Sequence, residues 1–269
     1  VWSGADKPYQ FLATIFEYRD AMTSGDPRTF VSHLPVGLDG SCNGLQNFSA
    51  MLRDNVGGTA TNLVPANKPA DIYAEVGSVC GEKVRARASQ PTGDTDEDTR
   101  YQQWQRFIAC YGNNGAIPRK MAKRPVMTLP YGSTRQSCTA YIFDSLVDID
   151  DKDIIPERRF KHSVSLTPLL WGSIGEVVVA ARNAMDWLQK SASVVSKTNS
   201  PVYWDTPDGF PVWQAEYKTD MIRVSTQLAG EFRIKLRPYN DEINPRSMRQ
   251  SISPNFVHSF DANHLRETV

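Results

Sequence analysis

One acid in this chain, Asp39, is delivered by an apolar run into a turn of small residues that opens a helix, within LPVGLDGSCNGLQNFSAMLRD at 34–54. A carboxylate beside Gly40, Ser41, Asn43 and Gly44 suits a metal ion next to a ligand that reaches backbone amides at a helix start, where partial positive charge gathers. Phosphate fits that description, although the same pattern also makes a plain turn and N-cap. Residues 117–133, IPRKMAKRPVMTLPYGS, set Arg119, Lys123, Met127 and Tyr131 at steps of four, a drift of only about 40° per step on a helix. Two cations and a phenol would then share one face. Arg119 can hold phosphate oxygens through two parallel bonds, Lys123 offers a compact charge and a proton, and Tyr131 lies about 12 Å farther along, roughly the reach from phosphate tail to sugar. The plainer alternative is a basic surface helix with a buried tyrosine. Near the end, SPNFVHSFDANHLRETV at 253–269 sets His258 and Asp261 three apart, with His264 beyond, a spacing that does not make a convincing metal site.

These groups need elements to carry them. Leu34, Val36 and Leu38 alternate as a short buried strand ending at Asp39, and Leu45, Phe48 and Leu52 follow at helical spacing. Asp6 is expected to cap a first helix carrying Phe11, Leu12, Ile15 and Phe16, and Gly57 with Gly58 to end the helix of Leu45. Further helices are predicted through Ile72, Val76 and Val79, through Trp104, Phe107, Ile108 and Tyr111, and over a long region from 166 to 197, while polar residues 89–99 read as an exposed loop. Pro125 and Pro130 fall inside the basic segment, so its helix either starts at Pro125 or kinks at Pro130. Short β-prone runs in 202–237 predict a small antiparallel unit, its first pair divided by TPDGFP. Ser253 and Pro254 are expected to open the last helix as N-cap and first-turn proline.

With 269 residues, 40% of them hydrophobic, the chain can build one large or two ordinary domains with a real core. Thirty basic residues balance thirty acidic ones, so nucleic-acid contact would rest on local clusters and not on the total. Arg119, Lys120, Lys123 and Arg124 form the first cluster; Arg158, Arg159, Lys161 and His162, and then Arg246 and Arg249, read as solvated faces. The four cysteines, Cys42, Cys80, Cys110 and Cys138, have no paired spacing for zinc and suit a reducing compartment. No apolar run approaches the roughly 18–20 residues of a membrane span, and VWSGADKPYQ lacks the parts of a signal peptide. A soluble, intracellular protein is expected, and a start at Val1 with no helix stop at Val269 reads as a piece of a longer polypeptide.

In this order the three segments resemble the single-subunit DNA-directed RNA polymerases of podophages and organelles. DGSCNGLQNFSAMLRD is similar to their motif A, RKMAKRPVMTLPYGS to motif B, and PNFVHSFDANHLRETV to the helix preceding motif C. FLATIFEY, DNVGGTATNL and TPDGFPVWQ are similar as well, so the likeness spans nearly the whole chain, with wording nearer the phage branch. The resemblance implies an α+β, mostly α fold: a right-hand polymerase palm and fingers with a small antiparallel sheet. Residues 1–65 would be a palm part with motif A, 66–200 the fingers with motif B, and 201–269 an antiparallel unit and a helix leading to a motif C that is absent here. It also implies DNA-templated RNA synthesis from ribonucleoside triphosphates by two-metal nucleotidyl transfer.

Residue by residue, the resemblance implies that Asp39, helped by the Gly40 carbonyl, binds two magnesium ions. Lys123 would contact the phosphates and protonate the leaving group, Arg119 would grip the triphosphate tail, Tyr131 would close over the sugar, and His258 would help it sense the ribose. The implied partners are DNA template, promoter, nascent RNA and ribonucleoside triphosphates, with no membrane. A full-length monomer acting in the cytoplasm of an infected bacterial host is expected. The chain alone is expected to be inactive, because the second metal-binding aspartate is missing and Asp261 is a poor stand-in. Family A DNA polymerases share the Arg, Lys and Tyr-Gly spacing, but they carry an aromatic residue where this chain has Met127 and a glutamate where it has Gly44. Gly44 would leave open the volume that a ribose 2′-hydroxyl needs. Asn47 replaces a histidine of the phage enzymes. The alternatives are a non-catalytic nucleic-acid-binding relative and a family A DNA polymerase.

Overall fold

Helix signals dominate the chain, and helices dominate the structure. The computed structural model describes residues 2–37, 40–152, 154, 156–226 and 232–269, mostly helical with small antiparallel sheets. It divides into two compact units, Val1–Gly40 and Ser41–Val269.

The first unit holds α1 (Pro8–Thr23), which buries none of its residues. Its N-cap is Lys7 and not Asp6; Lys7 makes no side-chain cap bond, and Pro8, with its dihedral preset for a helix, starts the first turn. The strand expected at 34–38 does not form among the described residues, where Val36 is exposed and Pro35 lacks an amide donor. Leu38 and Asp39 lie outside the described residues.

The second unit contains α2 (Asn43–Leu52), α3 (Asn55–Ala60), α4 (Ile72–Ala88), α5 (Thr95–Tyr111), α6 (Arg119–Thr128), α7 (Arg135–Ile149), α8 (Arg159–Val177), α9 (Val179–Ser196) and α10 (Pro245–Thr268). Side-chain caps fix several starts: Asp54, Asp71, Asp94, Thr134 and Asn244 each accept from first-turn amides. The Asp94 cap shortens the expected 89–99 loop, since α5 already begins at Thr95 with Asp96, Glu97 and Asp98 in its positive first turn. Gly57 and Gly58 do not end α2; they lie within α3, and α2 stops at Arg53 in a left-handed conformation. The region expected as one helix from 166 to 197 starts earlier, at Arg159, and is two helices parted at Val178, with a bend of 99°.

The last helix also starts earlier than expected. Asn244 accepts from the Arg246 and Ser247 amides and Pro245 opens the first turn, so Ser253 and Pro254 sit in the helix interior. Pro254 has no N–H to offer the Gln250 carbonyl. That carbonyl oxygen faces Gly132, where a Cβ would lie 3.4 Å from both the oxygen and Pro254 Cδ.

One hydrophobic core joins α2 through α10. Trp104 and Phe107 of α5 are fully buried and meet edge to face at 5.2 Å, and the Trp104 indole donates to the His162 carbonyl and Ser165 Oγ. The strands pair as three antiparallel ribbons: β1 (Val202–Asp205) with β2 (Pro211–Gln214), β3 (Tyr217–Thr219) with β6 (Tyr239–Ile243), and β4 (Ile222–Thr226) with β5 (Phe232–Leu236). The expected antiparallel unit is therefore three ribbons, with β6 added beyond the predicted stretch. Trp204 of β1 and Gln214 of β2 tie the first ribbon to α10, donating to Ser259 Oγ and Ser251 Oγ. Among the described residues no single helix is long and apolar enough to cross a membrane.

Candidate active site

The basic segment starts at Arg119, immediately after the extended Pro118, and runs through Pro125. Neither expected alternative, a start at Pro125 or a kink at Pro130, describes it: Leu129, Pro130 and Tyr131 form a tighter 3-10 turn that ends at Gly132, with φ of 82°. That conformation favours glycine. Met121, Ala122, Pro125 and Val126 are buried on one side, while Arg119, Lys123 and Met127 are exposed on the other and Tyr131 is half-buried beyond them. The shared face read from the spacing is formed for Arg119, Lys123 and Met127, while Tyr131 leaves the helix for the 3-10 turn.

Its charges are not equivalent. Arg119 donates to Asp71 at 2.5 Å and lies over the Tyr73 ring. Lys120 pairs with Asp148 at 2.9 Å, and Arg124 pairs with Asp144 at 3.0 Å while lying over Tyr141. Exposed pairs of this kind contribute little stability, but they occupy three of the four cations. Lys123 alone in this cluster has no ion pair among the described residues. Burial pushes the Asp71 carboxyl up, but Arg119 and the Ala74 and Tyr73 amides outweigh it and hold the group below the usual carboxylate range. Two members of the second basic cluster are structural and not solvated: His162 is buried between the Arg158 carbonyl and Gln103, and buried Arg159 pairs with Asp150.

Tyr131 is where three elements meet. Its ring stacks on His258 of α10, with centroids 4.8 Å apart and planes 28° from parallel. Its hydroxyl donates to Asp261 Oδ2 at 3.3 Å, and Asn47 of α2 donates to Asp261 Oδ1 at 2.8 Å. Asn47 thereby has a physical reason to be there: it fastens α2 to α10. Burial first, then the charge of Asp261 and its hydrogen bond, push the Tyr131 phenol up to about 12. His258 is largely exposed, its Nδ1 lying 3.7 Å from Asp261 Oδ2.

Gly44, in the first turn of α2, lies under this cluster. A Cβ there would come within 2.8 Å of Pro130 Cβ and Cγ and 3.2 Å of Tyr131 Cζ. The open volume expected above Gly44 is filled by Pro130 and Tyr131, and the glycine's bareness serves the close approach of the 3-10 turn. The N-cap residue of α2, Cys42, has φ of 131° and makes no side-chain cap bond among the described residues. Gly40 is exposed, and Asp39 is outside the described residues. Among the described residues no three His, Cys, Asp or Glu side chains gather as a metal-holding group.

The Asp71 clamp on Arg119 and the Asn47–Asp261–Tyr131 bridge were missed by sequence reasoning. The partners lie 48, 214 and 130 positions apart, and no local pattern announces them.

The exposed face of α6 offers the Lys123 cation, and the Tyr131–His258 stack beyond it offers polar aromatic groups. The chain belongs to the DNA-dependent RNA polymerase family, whose model matches residues 1–269. Similar curated proteins include T7 RNA polymerase of Escherichia phage T7, 34% identical over 296 residues, and the DNA-directed RNA polymerase of Enterobacteria phage T3, 35% identical over 304 residues. In each case all of this chain is aligned with 33% of the relative. A chloroplastic DNA-directed RNA polymerase 3B of Nicotiana tabacum is 35% identical over 272 residues, covering 26% of its length. The chain thus spans a third or less of the curated relatives' length.

Proposed function

We propose that this chain forms palm and fingers parts of a single-subunit enzyme that makes RNA on a DNA template, with a palm part in 1–65, the fingers in 66–200, and an antiparallel unit and motif C-leading helix in 201–269. The observation that carries the reading is the Tyr131–His258 stack at the end of the exposed face bearing Lys123, in a chain of this family. Lys123, without an ion pair among the described residues, would contact the triphosphate and donate a proton to the departing pyrophosphate. Arg119 would exchange Asp71 for the phosphate tail. Tyr131 and His258 would meet the sugar and base, with Gly44 letting the 3-10 turn close over α2. Asp39 and the Gly40 carbonyl would hold magnesium, which when bound activates the RNA 3′-hydroxyl and stabilises the leaving group. DNA template, promoter, nascent RNA and ribonucleoside triphosphates would be the partners of the complete monomer, acting in the cytoplasm of an infected host.

The test is RNA extension by the polypeptide that contains this chain. Asp39→Asn is expected to abolish extension while leaving template binding largely intact, since it removes charge facing the metal and no DNA contact. Unchanged turnover would overturn the metal assignment. Template binding without extension by the unmodified polypeptide would favour a non-catalytic nucleic-acid-binding relative.

A further inference from the structure

We infer that Asp261, held by Asn47, is a positioning residue that fixes the hydrogen-bond polarity of Tyr131, so that the phenol oxygen can accept a hydrogen bond from a nucleotide but cannot donate one. The inference rests on the proposed nucleotide site and deepens it.

A carboxylate only accepts hydrogen bonds. Both groups that hydrogen-bond Asp261 must therefore be donors: Asn47 through its amide at 2.8 Å to Oδ1, and Tyr131 through its single O–H at 3.3 Å to Oδ2, which His258 Nδ1 faces from 3.7 Å, beyond hydrogen-bond reach. The Tyr131 proton is then committed inward. What the phenol can still present to a ligand is its lone pairs, so a ligand group must bring its own hydrogen. A ribose 2′-hydroxyl does, a 2′-hydrogen sugar makes no bond, and a 2′-fluorine would set its lone pairs against those of the oxygen. The Asp261 side chain is only about a quarter exposed, at 27%, and the His258 ring stacked on Tyr131 limits the directions the phenol can turn. Asn47 matters because it defines which way an amide at position 261 would face. With Asn47 keeping its NH2 toward position 261, as it stands now, the new carbonyl of Asp261→Asn would turn to Asn47 and the new NH2 to Tyr131. The phenol would then accept from within, and its O–H would turn outward to donate.

The experiment compares 2′-fluoro and 2′-deoxy nucleoside triphosphates as substrates of the complete polypeptide carrying this chain, alongside equilibrium binding of the same nucleotides. In the unmodified protein the 2′-fluoro sugar is expected to fall below the 2′-deoxy sugar. In Asp261→Asn the ratio should rise by about 3- to 10-fold, the worth of one hydrogen bond, and this rise should vanish in the double variant Asp261→Asn, Tyr131→Phe. A ratio unmoved by Asp261→Asn, in a protein that still binds nucleotide and retains its circular dichroism spectrum, would overturn the inference. Failure of the unmodified protein to bind any nucleoside triphosphate would instead overturn the reading of the site. If Asp261→Asn does not fold, Asn47→Leu supplies the second measurement: it leaves Tyr131 donating to the carboxylate, so the ratio should stay at its unmodified value, and a rise there would count against the inference.

Discussion

At Gly44 a single hydrogen atom decides whether the 3-10 turn can lie on α2. An added methyl would stand 2.8 Å from two atoms of the Pro130 ring, closer than real carbon contacts allow, and the neighbour is a rigid ring on a short turn. Gly44→Ala should therefore destabilise the protein by about 1–3 kcal/mol, the usual cost of overpacking, measured as a shifted urea midpoint with an unchanged slope. Tyr131 gives a second test. Its phenol, pushed up to about 12 by burial and by Asp261, holds its proton more tightly in the folded chain than the ordinary value of about 10 would allow. The associated stability is present below about 10 and is lost as pH rises through about 12. Asp261→Asn removes the carboxylate's share, so the phenolate should appear at lower pH, read from ultraviolet difference spectra against the double variant Asp261→Asn, Tyr131→Phe. Replacing only the hydroxyl, Tyr131→Phe should relax ribose over deoxyribose selectivity by roughly 1–2 kcal/mol, or 5–30-fold, in nucleotide competition assays.

Among the elements, those with a strong apolar period were legible: α4 buries Ile72 and Val76, and α5 buries Trp104, Phe107 and Ile108, whereas Val79 is only partly buried and Tyr111 is exposed. Boundaries were less so, because identical local signatures compete. Ser253-Pro254 was expected as a polar cap followed by a first-turn proline; the structure puts the helix start at Asn244-Pro245, which carries the same pair of residue types, while Ser253 is buried inside the helix. Asn244→Ala should cost about 1 kcal/mol for the lost cap. Ser253→Ala should be neutral or stabilising, since the Ser253 hydroxyl is buried without a hydrogen-bond partner. Thermal unfolding of the two variants decides the boundary, and the opposite ranking would restore the later start. The site divides in the same way. The face of Arg119, Lys123 and Met127 follows from a periodicity of four, whereas Asp71 beside Arg119 and Asn47 beside Asp261 depend on chain segments brought together from far apart. Sequence separation hides such pairs, because nothing within one helix turn constrains them.

On the scale of the whole molecule, the core contains no residue before Cys42 among the described residues, and α1 buries nothing. A chain trimmed to 41–269 is expected to keep the melting temperature of the 269-residue chain to within a few degrees, by calorimetry; a large loss would mean that the first unit contributes packing stability. The balanced totals of thirty basic and thirty acidic residues describe the surface locally as well as globally, for the cations of α6 mostly have their acids beside them. Internal pairing makes that face behave as a nearly neutral surface with one mobile counterion, the anion that accompanies Lys123 in solution. An arriving polyanion would release roughly one ion there and not four, so its affinity should fall with salt with a logarithmic slope near one from this helix. Each of Arg119, Lys120 and Arg124 would add to that slope only when its own carboxylate lets go.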